Sequence, residues 1–175
     1  MRASGFTLVE LLIGLAVMTL LLTAGIPATQ QFLASQRVVT AVNQLTTELA
    51  LARSAALLRT VDVTACPDTG SQTCGTWRDW GNGLLIFVDS NGNKAYDAPT
   101  EPLIRASGSF NVQIRTTVGR PRIKFQASGM ALGFNATFTL CALSELAPPK
   151  AVILSSQGRS RVAPHNSDGS PLSCT

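Results

Sequence analysis

Phe6 to Ile26 is an almost unbroken apolar run, interrupted by Glu10 and a few threonines and glycines, and no later stretch of the chain repeats it. As a helix rising about 1.5 Å per residue, these 21 residues reach roughly 30 Å, the thickness of a bilayer core. Beyond Pro27 the pattern becomes periodic. Val38, Val42, Leu45, Leu49, Ala52 and Ala56 recur at steps of three and four, with Gln36, Arg37, Asn43, Gln44, Thr47, Glu48 and Arg53 between them. That stripe predicts an amphipathic helix facing a core. The two segments together predict one long helix from about Thr7 to Leu58, bent near Pro27 because an interior proline removes a helix hydrogen bond.

After Arg59 the pattern shortens. Strands are expected at Thr60–Ala65, Leu84–Val88, Asn111–Thr117, Arg122–Gln126, Thr137–Ala142 and Ala151–Ser155, separated by Gly, Pro and Asn punctuation. Cys66 to Gly83 is rich in Asp, Gly, Ser and Asn and reads as loop. The fold class is α+β: a long N-terminal helix, first a transmembrane half and then an amphipathic half, packed against antiparallel β-sheet. The expected divisions are a leader at 1–5, a membrane segment at 6–26, the amphipathic continuation at 27–58 and a β-rich region at 59–175.

The flanks of the apolar run set its character. A secretory signal carries its small-residue cleavage site after the apolar region, whereas here the small pair Ser4-Gly5 precedes it. A cut after Gly5 would keep the helix and make Phe6 the new amino terminus. Glu10 is costly inside a membrane and such residues usually mark a function and a partner. The amine of Phe6 on a neighbouring copy is the candidate partner.

Removing the leader and the apolar run leaves 149 of 175 residues, enough for one domain with its own core. Charge is unevenly placed. Residues 1–101 carry six Lys/Arg against eight Asp/Glu, and residues 102–175 carry eight against two, which points to an anionic partner for the C-terminal part. The four cysteines, Cys66, Cys74, Cys141 and Cys174, lie beyond the membrane segment, where an oxidising compartment such as the periplasm would pair them. Spacing alone does not choose among three connectivities. The expected one joins Cys66 to Cys74 across a short polar loop and Cys141 to Cys174 across the tail. A zinc site would need ligand spacing such as C-x₂-C, which is absent.

Gly5-Phe6-Thr7-Leu8-Val9-Glu10 closely resembles the prepilin cleavage motif of type IV pilins and type II secretion pseudopilins. The resemblance implies cutting between Gly5 and Phe6 by a prepilin peptidase, N-methylation of Phe6, and assembly with other pilins or pseudopilins through the apolar helices, Glu10 helping to set register. It also implies residence in the inner membrane with the C-terminal domain in the periplasm. Trp80-Gly81-Asn82-Gly83-Leu84-Leu85-Ile86-Phe87-Val88-Asp89, then Asn91-Gly92-Asn93, and later Gly158-Arg159-Ser160-Arg161 are similar to the FimT/GspH subgroup of minor pilins and pseudopilins.

Several candidate sites follow. Asp89-Ser90-Asn91-Gly92-Asn93 with Asp97 places oxygens at alternate positions as calcium loops do, but an EF-hand needs glycine sixth and glutamate twelfth. The chain has Lys94 and Thr100 there, and a turn is the favoured reading. The single histidine, His165, sits in a polar tail with no serine motif or paired carboxylates near it in sequence, so neither an enzyme nor a cofactor is expected. Trp77 and Trp80 could stack on bases, although burial of one or both against the helix is favoured.

Arg159 and Arg161 are the leading functional pair. In an extended segment, residues two apart share a face about 6.6 Å apart, so two guanidinium forks could hold neighbouring phosphates. Gly158 would let a backbone approach closely. The match of Gly158, Arg159 and Arg161 to the Gly-Arg-x-Arg signature of DNA-binding FimT proteins implies a DNA partner. Gly119-Arg120-Pro121-Arg122 has the same letters ahead of an expected strand, away from the family's placement, and ranks as supporting charge. Two functions therefore stand: a minor pilin that binds extracellular DNA for natural transformation, and a structural GspH- or FimU-like subunit of a pilus or secretion tip complex.

Overall fold

The computed structural model describes residues 7–144 and 146–174, with Ala24, Gly25, Pro27 and Ala28 described in backbone only. One helix, α1 (Leu8–Arg59), runs uninterrupted through Pro27. Thr7 caps it, its Oγ1 accepting the Glu10 N–H at 3.3 Å. At the other end Thr60 turns into the left-handed region (φ 55°), and its N–H donates to the Ala56 carbonyl.

The two halves of α1 meet different surroundings. Every large apolar side chain described between Leu8 and Leu33 is exposed, whereas Val38, Val42, Leu45, Leu49, Ala52 and Ala56 are all buried. The 3.6-residue stripe thus lies on the core as its spacing predicts. Glu48, read as a polar-face residue, is the exception: it is buried and paired with Arg105, whose Nε lies 3.2 Å from its Oε1. Among the described residues no helix is long and apolar enough to cross a membrane. Part of the expected span lies outside them, since Phe6 is not described and the side chains of Ala24 and Gly25 are not.

Eight strands follow: β1 (Val63–Pro67), β2 (Leu84–Val88), β3 (Leu103–Ala106), β4 (Gln113–Thr116), β5 (Ile123–Phe125), β6 (Ala136–Cys141), β7 (Lys150–Leu154) and β8 (Ser160–Ala163). They form two four-stranded antiparallel sheets, ordered β3-β2-β1-β5 and β4-β6-β7-β8, where the sequence suggested only one kind of sheet without its division. The C-terminal half of α1 touches both, so one core serves both sheets.

Six strands coincide with expectation to within a few residues; β3 and β8 were not among the expected strands. Both are edge strands whose exposed residues break the alternation, and they exist because a neighbour supplies the hydrogen bonds. The sheets are joined through the Trp80-Gly81 segment: the Trp80 N–H donates to the Ile114 carbonyl at 2.8 Å and the Phe110 N–H to the Gly81 carbonyl at 2.9 Å. Trp80 is fully buried, edge-on to Phe138 with centroids 5.1 Å apart. Trp77 is exposed, so only it remains available to a ligand.

β1 and β2 are buried on both faces. Val63, Ala65, Leu84 and Ile86 belong to the core shared with α1, while Cys66, Leu85 and Phe87 form a second cluster roofed by Cys74, Tyr96 and Leu103. Cys66 is bonded to Cys74 and Cys141 to Cys174, the expected pairing. The second bond holds the tail across the far face of the β4-β6-β7-β8 sheet, where Leu172 packs on Ala151, Ile153 and Ala163.

Candidate nucleic-acid interface

The β7–β8 hairpin positions the leading arginines. Its turn closes when the Ser155 N–H donates to the Arg159 carbonyl at 2.9 Å, the Gly158 N–H to the Ser155 carbonyl at 2.9 Å, and the Arg159 N–H to Ser155 Oγ at 3.3 Å. Gly158 takes φ +74°, which a side chain adopts only with strain. It is also buried, and a Cβ there would stand 2.2 Å from the Gly129 carbonyl oxygen. The close approach that Gly158 permits is therefore to the chain's own backbone.

Arg159 and Arg161 are both exposed. The same-face expectation needed an extended run through both, but β8 begins at Ser160 and Arg159 belongs to the turn. Arg161 pairs with Ile153, which packs with Leu172 on the sheet face turned away from α1; directly opposed residues share a face. Arg159 instead lines an open hollow of about 510 Å³ against the helix, together with Gly158, Ser160, Arg53, Ser54 and Leu57. The pair thus straddles the sheet edge.

The hollow brings in Arg53, which the sequence placed only on a polar helix face. Its Nε donates to the Gly129 carbonyl at 3.1 Å, fixing the guanidinium beside the β7–β8 turn. One signal pointed to it: Arg53 lies four residues after Leu49 and three before Ala56, at the border of the buried stripe. No carboxylate lines this hollow. The acid nearest to Arg161 in sequence, Asp168, is held below the usual carboxylate range because the Ser170 hydroxyl (2.7 Å) and N–H (2.9 Å) both donate to its Oδ1.

The other sequence candidates fall elsewhere. Glu10 is exposed in the first turn of α1, where the helix dipole favours an anion; Gly5 and Phe6 lie outside the described residues. In the Asp89–Asp97 loop the oxygens are used internally: buried Asp89 accepts from Thr64 Oγ1 at 2.9 Å, and Asp97 Oδ2 accepts from the side-chain amides of Asn91 (2.8 Å) and Asn93 (2.6 Å). Among the described residues no group of His, Cys, Asp or Glu could hold a metal ion. His165 is exposed in the tail, its Nδ1 3.2 Å from the Asn166 carbonyl oxygen.

Comparison with known proteins adds to this geometry. The family model described as type II transport protein GspH matches residues 41–158, and that of the prokaryotic N-terminal methylation motif matches residues 1–26. No curated protein matches the chain. Two crystal forms of the type IV minor pilin FimU from Pseudomonas aeruginosa strain PAO1 share the fold. One has TM-score 0.59 and 21% identity over 80% of this chain and 96% of that one. The other has TM-score 0.57 and 22% identity over 77% and 98%.

Proposed function

Because the chain belongs to the GspH family of type II transport proteins, whose members are structural pilin-type subunits rather than enzymes, we propose that it is a minor pilin that binds extracellular DNA for uptake in natural transformation. Processing follows the N-terminal motif: a prepilin peptidase cuts between Gly5 and Phe6, Phe6 is methylated, and the apolar half of α1 anchors the chain in the inner membrane before it joins other pilins. Intact-mass analysis should give a chain beginning at Phe6 with one added methyl; a start near residue 28 would exclude it.

The observation that supports DNA is the exposed cationic edge formed by Arg159 and Arg161, with Arg53 beside Arg159 and no carboxylate in the hollow those two share. Guanidinium groups suit phosphate oxygens, and contacts to phosphate position a protein without reading sequence. Binding is therefore nearly independent of sequence and steeply dependent on salt, falling by about 0.9 log unit per contact for each tenfold rise in salt on duplex DNA.

The test uses the full chain in nanodiscs of zwitterionic lipid, with fluorescence anisotropy of a labelled duplex followed across a salt series. Arg159→Gln/Arg161→Gln should weaken all sequences alike and lower the salt slope by about two contacts, without unfolding the domain, since exposed charges contribute little to stability. Transformation should fall in cells while pilus assembly persists. A second reading, a structural tip-complex subunit, is favoured by the likeness to FimU. It prevails if the double variant binds DNA like the wild type, or if the variant loses assembly together with uptake.

A further inference from the structure

A second hollow, also of about 510 Å³, opens between the Gly119–Arg122 turn and Phe134, and three cations line it: Lys94, Arg120 and Arg122. No carboxylate lines it. The two ion pairs among the described residues, Arg105 with Glu48 and Lys124 with Asp62, leave these three cations out. Arg122 Nε is buried with no hydrogen-bond partner, and a buried donor left unmet costs its full desolvation. Arg120 Nε is anchored on the Asn135 carbonyl at 3.3 Å, and Lys94 Nζ lies 5.4 Å from the centre of the Phe134 ring.

Lys94 is held there by the loop that resembles a calcium site. Buried Glu101 accepts the Ser90 N–H at 2.9 Å and the Asp97 N–H at 3.2 Å, and Lys94 itself takes φ +63° at the loop's tip. Asp89, Asp97 and Glu101 therefore spend their oxygens on shaping a loop that delivers a cation. Like charges gathered without a counter-charge repel, and the arrangement is relieved by an anion with several acceptor oxygens. Two forks and an ammonium can donate together to the non-bridging oxygens of a phosphate group.

We infer that Lys94, Arg120 and Arg122 form an oxyanion site that takes a phosphodiester of the same DNA bound at Arg159 and Arg161, an inference that rests on the DNA-binding reading above. Both hollows adjoin one loop. Gly129 at its start accepts from Arg53, the Ala131 N–H donates to the Ser156 carbonyl at 2.9 Å, and Phe134 at its end walls the second hollow. A duplex carries a phosphate charge about every 1.7 Å along its axis, so one that follows this loop offers a phosphate to each hollow.

The same anisotropy experiment separates the two claims. Lys94→Gln/Arg120→Gln should lower the salt slope by about two, roughly an eightfold loss of affinity per contact at 0.1 M salt relative to 1 M, and should add to the Arg159→Gln/Arg161→Gln loss. If the double variant melts early, Lys94→Gln alone carries the test, with a slope lower by about one. A wild-type slope in the Lys94/Arg120 variant beside an impaired Arg159/Arg161 variant overturns this inference and leaves the DNA reading standing. Failure of the wild-type chain to bind the duplex overturns both. Impairment of the Lys94/Arg120 variant alone overturns the inference of one DNA shared with Arg159 and Arg161, and with it the reading on which the inference rests.

Discussion

Gly119–Arg122 and Gly158–Arg161 share three of four letters, and each opens on a positive-φ glycine, Arg122 standing just before β5 and Arg161 within β8. Their surroundings differ. Gly158 is wedged against the Gly129 carbonyl and Arg53, while a Cβ on Gly119 would meet nothing within 4 Å. The first segment folds partly buried arginines toward Lys94 and Phe134; the second spreads exposed ones over the two sides of an edge strand. The letters specify a turn, and the neighbours decide where its charge points.

The largest expected effect tests that contrast directly. Gly158→Ala combines a left-handed backbone with overlap of a carbonyl, and the two together cost about 4 kcal/mol. Gly119→Ala carries only the backbone strain, about 1 kcal/mol. Chemical unfolding of the full chain in detergent should separate them by several kcal/mol. Equal losses would show that Gly158 is not wedged as the geometry places it, and that the two turns differ in charge alone.

How much of this was legible in the sequence varied with the physics of each element. The stripe Val38 to Ala56 was readable because helix period and burial agree, and Leu84–Val88 because a strand buried on both faces is a continuous apolar run. β3 and β8 were not, since an edge strand is made by its partner's hydrogen bonds and Leu103–Ala106 and Ser160–Ala163 carry no alternation of their own. At the candidate site the arginines were visible as charge. The places of Arg53 and Lys94 beside them were not, apart from the position of Arg53 at the border of the buried stripe, because their approach depends on contacts between distant segments: Arg53 to Gly129, and Lys94 to Phe134. Gly158 was read as room for a ligand. Only the fold reveals that its own chain fills that room.

A smaller effect sharpens the same comparison, because the second segment leans on a tail that the first lacks. Leu172 covers Ala151, Ile153 and Ala163 beside Arg161, and the Cys141–Cys174 bond closes 33 residues of chain around that hairpin; the Cys66–Cys74 bond closes only eight. In the chain-entropy model, removing the longer crosslink by Cys141→Ser/Cys174→Ser costs about 3.7 kcal/mol and the shorter about 2.5. The consequence for the arginines differs more than the stabilities do. Loss of the longer bond frees the tail from the outer face of β8, so hydrogen exchange should quicken at Arg161 and Val162 while amides of β5 beside Arg122 keep their protection. Loss of the shorter bond should loosen the cover over Leu85 and Phe87 and leave both arginine segments unchanged. Exchange measured on the two variants decides the matter: if β5 and β8 respond alike to loss of Cys141–Cys174, the tail is not what sets the second segment apart.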